Sequence, residues 1–69
     1  MLISQVLAHF YGGPLDGERR LLSPADTKTG WFIHRAGPRR HIYELVKDSY
    51  RELPNGSANI DAIYEGHNP

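Results

Sequence analysis

The chain has no cysteine, one tryptophan and one methionine. Without cysteine there is no disulfide framework, no thiolate zinc ribbon or finger, no thiol redox chemistry and no cysteine nucleophile. There is no apolar run of membrane-spanning length either, since Gln5 and His9 interrupt the stretch Met1 to Phe10. That stretch also lacks a basic leading region and a small-residue cleavage site, so it reads as a strand rather than a secretion signal. Net charge of either sign is missing too: eight Lys and Arg balance eight Asp and Glu. This excludes a strongly acidic nucleic-acid mimic and argues against binding nucleic acid through a sustained positive field.

What is present is a short chain of near-average globular composition, with 69 residues, 39% apolar and 23% charged. Such a length accommodates a single domain over residues 1–69. A domain near this size buries only about 60% of the surface its unfolded chain exposes, so its stability margin is thin without a partner. The balanced charge is unevenly placed. Arg19, Arg20, Lys28, Arg35, Arg39 and Arg40 stand against Asp26 alone in the middle of the chain, and acidic residues predominate on either side.

Turn signals recur at short intervals: Gly12-Gly13-Pro14 with Asp16-Gly17, Ser23-Pro24-Ala25-Asp26, Gly37-Pro38 and Pro54-Asn55-Gly56-Ser57. The segments between them are strand-sized, which predicts an all-β fold. Five strands are expected, at Leu2–Tyr11, Arg19–Leu22, Trp31–Ala36, Arg40–Tyr50 and Ile60–Glu65, joined in order as a small twisted antiparallel meander that curls toward a partly open barrel. The main alternative is a helix over 41–53, where Ile42, Leu45, Val46, Tyr50 and Leu53 also share one helical face.

Alternation predicts which side chains enter the core. Leu2, Val6, Ala8 and Phe10 oppose Ile3, Leu7 and Tyr11 in the first strand, and both sets are apolar, so both faces are expected to be covered. In the third strand Trp31 and Ile33 oppose Phe32 and His34, and the Trp31 side is expected to face the core. In the last strand Ile60, Ala62 and Tyr64 point one way. Asp16-Gly17 suits a primed hairpin turn, and Pro14, which has no N–H, is expected to place its end of the strand at a sheet edge. Tyr11, Tyr43, Tyr50 and Tyr64 fit cross-strand aromatic contacts.

The stretch from His9 through Gly12-Gly13-Pro14-Leu15-Asp16-Gly17 to Arg20, with His41-Ile42-Tyr43-Glu44-Leu45-Val46 and Ile63-Tyr64-Glu65-Gly66, resembles small uncharacterised proteins of actinobacterial phages and their hosts. Those chains carry an early Tyr-x-Gly-Gly-Pro-x-Asp-Gly element, a tyrosine-bearing middle strand and a late Tyr-x-Gly element. The resemblance implies phage origin, with a place in the host cytoplasm or the virion and no secretion. It implies no mechanism.

The residues themselves present several candidate sites. Gly12, Gly13, Pro14, Asp16 and Gly17 read first as a structural turn, and second as a nest of backbone N–H groups for an anion beside Arg19 and Arg20. Of His9, His34, His41 and His67, His34 and His41 flank the Gly37-Pro38 turn and can meet across a hairpin, with Glu44 or Asp61 as a third ligand. No metal or other cofactor is expected from their spacing. Enzymatic chemistry would need a pocket holding His9 with Asp16, and no enzyme activity is expected. The binding candidates are Trp31, Arg35, Arg39 and Arg40, with Arg19 and Arg20, because arginine and aromatic residues anchor both protein interfaces and phosphate contacts. The leading expectation is a non-enzymatic phage accessory protein that binds protein, either a host factor or a virion component, and forms a homodimer. The alternative is a small nucleic-acid-binding module using the arginine-rich middle. No membrane association is expected.

Overall fold

The structure, a computed structural model, describes residues 5–68. It is all-β: one five-stranded sheet curled into a half-barrel. The strands are β1 (Gln5–Tyr11), β2 (Arg19–Leu22), β3 (Trp31–Ala36), β4 (Arg39–Glu52) and β5 (Ser57–Asn68). A 3-10 turn at Gly13–Leu15 follows β1, and a single helical turn, α1 (Pro24–Thr27), follows β2. Positions 2–4 of the expected first strand lie outside the described residues. The alternative helix over 41–53 does not form, because this segment pairs on both sides, with β3 and with β5. Among the described residues no helix is long and apolar enough to cross a membrane.

The expected meander is corrected in one connection. The sheet order is β2-β1-β5-β4-β3, and β1 runs parallel to β5, from Gln5 opposite Ser57 to Tyr11 opposite Ile63. Hairpins join β1 to β2, β3 to β4 and β4 to β5, but β2 and β3 occupy opposite edges. The physical reason lies in β5. Its inward set Ala58, Ile60 and Ala62 offers small and apolar side chains opposite Val6, Ala8 and Phe10, so closing β5 onto β1 buries both rows. This puts β1 inside the sheet, and the Gly12-Gly13-Pro14 end is not at an edge as expected.

Curling is visible across the core. Phe10 on β1 and Phe32 on β3 stand three places apart in sheet order, which in a flat sheet would separate them by about 14 Å. Their ring centroids are 5.1 Å apart and nearly edge-to-face. Phe10 meets Tyr43 in the same manner at 5.0 Å, and Tyr43 meets Tyr64 at 5.2 Å. Val6, Leu15, Leu22, Leu45, Ala58, Ile60 and Ala62 complete the core. Full burial of each larger side chain contributes about 1.5–3 kcal/mol.

Two facing assignments are also corrected. In β3 it is Phe32 and His34 that face inward, while Trp31 and Ile33 are each 49% exposed. The register places Phe32 beside Tyr43 and Trp31 beside Glu44, and since Tyr43 is wholly buried its neighbour must share that face. In β1, among the described residues, the Val6, Ala8 and Phe10 face is buried, whereas on the other face Leu7 is half-buried and Tyr11 is exposed. The turn chemistry differs as well. Asp16 has φ −50 and ψ 129 and Gly17 has φ 81, the geometry of a type II turn and not a primed one. The Ser23 to Asp26 turn is a capped helical turn, with each side chain accepting the other's backbone N–H at 3.3 Å.

Two irregularities bend the β4–β5 ribbon. Between Val46 and Arg51 the longer strand carries extra residues, and the Ser49 hydroxyl secures them by donating to the Val46 carbonyl at 2.6 Å and accepting the Asp61 N–H at 2.8 Å. Near the other end, Tyr43 faces Tyr64 whereas Ile42 faces Gly66, so Glu65 is a bulge. Gly66 has φ 127, a conformation that side chains resist.

Candidate functional site

The three motif segments singled out in the sequence meet at one place. Tyr43 donates its hydroxyl proton to the Gly12 carbonyl at 2.8 Å and accepts the Leu15 N–H at 2.9 Å. The Tyr64 ring lies against the same turn: a Cβ at Gly13 would stand 2.5 Å from Tyr64 Cδ1 and 2.7 Å from the Tyr43 hydroxyl. The glycines therefore allow the turn to lie directly on two tyrosines. Burial pushes the Tyr43 hydroxyl above the ordinary tyrosine range, with the Leu15 N–H opposing and Tyr64, Asp16 and Glu18 adding to the rise.

The anion nest has an occupant of its own. The Gly12 N–H donates to Asp16 Oδ1 at 2.7 Å, so the Asp16 carboxylate sits where an external anion would bind. Asp16 is thus engaged by the turn, while His9 stands in register between Arg19 and Asp61 on neighbouring strands. The Gly-Gly-Pro block is accounted for as the cap over Tyr43.

The arginines do not form one patch. Arg19 and Arg20 lie on β2 at one edge, and Arg20 pairs with Glu18 at 3.1 Å. Arg35 and Arg40 are cross-strand partners at the other edge. They alternate onto the outer face with Trp31, Ile33 and Ile42, whereas Arg39 alternates to the inner face with His41. On that outer face Thr29, Trp31, Ile33, Ile42 and Glu65 line a shallow, almost wholly apolar depression of about 540 Å³. Its charges are ordered along the strands, with Arg35 and Arg40 at one end and Glu44, the register partner of Trp31, at the other.

The inner face ends in a row that spacing alone did not reveal. His34 faces His41 across the β3–β4 ladder, and His41 faces His67 across β4–β5, with ring centroids 6.2 and 5.7 Å apart. His41 Nδ1 and the Tyr64 hydroxyl are 2.9 Å apart. The expected pairing of His34 with His41 forms, but the third neighbour is His67 and not Glu44 or Asp61, which alternate to the outer face. The Glu65 bulge is the cause, since without that extra residue His67 and Tyr64 would point to opposite sides. The His41 pKa is lowered by partial burial, then by the positive charges of His67, His34 and Arg39.

These features define the class: a small all-β half-barrel with an apolar outer patch on one edge and a histidine row at one end of its concave face. No family model matches the chain, and neither the curated proteins nor the solved structures provide a match.

Proposed function

We propose that the protein is a non-enzymatic accessory protein that acts by protein–protein binding through the outer face of β3 and β4, and that the occupant of this face is a second copy of the chain. The observation that carries this reading is the exposure of Trp31 and Ile33 beside Ile42 on an edge strand, a surface that nothing else among the described residues covers. Charge supports a second copy in particular. A two-fold axis near Ile33 sets Arg35 and Arg40 of each copy against Glu44 and Glu65 of the other, a self-complementary arrangement. The phage resemblance supplies the wider setting, a host factor or virion component bound by the resulting dimer.

Sedimentation at several concentrations tests this. A dimer is expected, Ile33→Arg is expected to be monomeric, and Arg35→Glu/Arg40→Glu is expected to dimerise only when mixed with Glu44→Arg/Glu65→Arg. A wild-type monomer at every concentration overturns the reading.

A second reading, nucleic-acid binding, draws on Trp31, Arg35 and Arg40 sharing one face, a stacking platform beside phosphate-binding forks. It requires binding to single-stranded DNA or RNA that weakens steeply with salt and is lost in Arg35→Ala/Arg40→Ala. Absence of binding at low salt removes it.

A further inference from the structure

Of the four histidines in the chain, three stand side by side across β3, β4 and β5 on one face, and the third joins only because the Glu65 bulge reverses the alternation of β5. A glycine at φ 127 accompanies that bulge. Among the described residues no carboxylate shares the face at this point: Glu44 and Asp61 alternate outward and Glu65 lies with Ile33 and Ile42 on the outer face, so none of these pairs with the imidazoles. Their neighbours are Tyr43 and Tyr64 toward the core, Arg39 on the same strand face, and Ala36 at the end of β3.

From this geometry we propose that His34, His41 and His67 form a binding site for a divalent late transition-metal ion, with His41 as the shared central ligand. The Tyr64 hydroxyl engages His41 Nδ1, which holds the ring and leaves Nε2 to face the ion. Among the described residues no group of three such side chains is placed to hold a metal ion as the structure stands, and the proposal therefore requires the three rings to move together. The closure draws the neighbouring rings together and also brings His34 and His67, two strands apart with His41 between them, onto the same ion. Two imidazoles on one tetrahedral ion, with metal–nitrogen bonds of about 2.0–2.1 Å, place their ring centroids about 5 Å apart. The present separations are 6.2 and 5.7 Å, and His67 is exposed and free to turn. An all-imidazole donor set without carboxylate selects copper(II), nickel(II) or zinc(II) over magnesium and calcium, with copper(II) tightest. Arg39 opposes the ion by charge, and its removal strengthens binding.

The test uses the whole chain with copper(II), nickel(II), zinc(II) and magnesium chlorides as probes. In the wild-type protein, substoichiometric copper(II) is expected to broaden the ring resonances of His34, His41 and His67 and to leave His9 sharp, a readout that needs no variant. In calorimetric titration with nickel(II), His41→Ala is expected to abolish binding, His9→Ala to leave it unchanged, Arg39→Ala to tighten it, and Tyr64→Phe to weaken it by about 10-fold. Equal broadening of all four histidines, unchanged nickel(II) affinity in His41→Ala, or magnesium binding as tight as nickel(II) overturns the proposal.

Discussion

Tyr43 and Gly12 are joined by a hydrogen bond of 2.8 Å that ties the middle of the longest strand to the turn after the first. The same hydroxyl accepts the N–H of Leu15, a residue 2% exposed, so this one oxygen serves two backbone groups of a turn that the core needs closed. Tyr43→Phe keeps the ring and removes the oxygen. It is expected to destabilise the fold by about 1–3 kcal/mol, because the Leu15 N–H is left buried and unpaired. Urea denaturation measures this, and an unchanged midpoint contradicts the role given to the hydroxyl.

The two ends of the same turn are expected to differ in their tolerance of a methyl group. Gly17 has φ 81 with open space at its Cβ position, so Gly17→Ala incurs only the left-handed backbone cost of about 1–2 kcal/mol. Gly13 has φ 65 and would also drive a Cβ into the Tyr64 ring, so Gly13→Ala is expected to cost clearly more. Thermal unfolding of the pair ranks them, and equal losses would count against the close approach of turn and ring.

Alkaline pH provides a separate readout of Tyr43. Its folded-state pKa is raised, first by burial, so an unfolded chain releases this proton more readily than the folded one. Stability from this group is therefore intact below about pH 10, the ordinary tyrosine value, and declines as pH rises through the interval up to the raised folded value. Stability measured against pH, wild type beside Tyr43→Phe, should show the decline reduced in the variant.

Trp31 and Phe32 are consecutive aromatic residues with opposite fates. Phe32 packs edge-to-face on Phe10, so Phe32→Ala is expected to cost about 3 kcal/mol. Trp31→Ala, measured under dilute conditions, should change stability by no more than about 0.5 kcal/mol. As the one tryptophan, Trp31 also reports on its own surface, with water-like emission when dilute and a blue shift as the outer face is covered. A buried-type spectrum at all concentrations, from a monomer, would reverse the facing of β3.

Ser49 bridges the bend of the β4–β5 ribbon through Val46 and Asp61. Ser49→Ala is expected to cost about 1 kcal/mol and to speed hydrogen exchange at the Asp61 amide in particular. Exchange that rises evenly along β5 would indicate a general loosening instead.

What the sequence determined by itself was whatever neighbouring residues encode: the all-β class, the extents of β2 and β3, and the sharing of one face by Val6, Ala8 and Phe10 and of one face by Ile60, Ala62 and Tyr64, though not which face is inward. Alternation and turn residues act over a few positions, so they can be read locally. Tertiary closure decided the rest. Nothing near β5 in the chain announces that it returns parallel to β1, because that pairing is chosen by the fit of Ala58, Ile60 and Ala62 against a strand fifty residues away. Nor does the composition of β3 reveal that Trp31 faces out, since both of its faces are aromatic and only the register against buried Tyr43 distinguishes them. The histidine row depends on a single extra residue at Glu65, which shifts parity without altering any pattern that spacing could show, and so it exists only once β3, β4 and β5 are side by side.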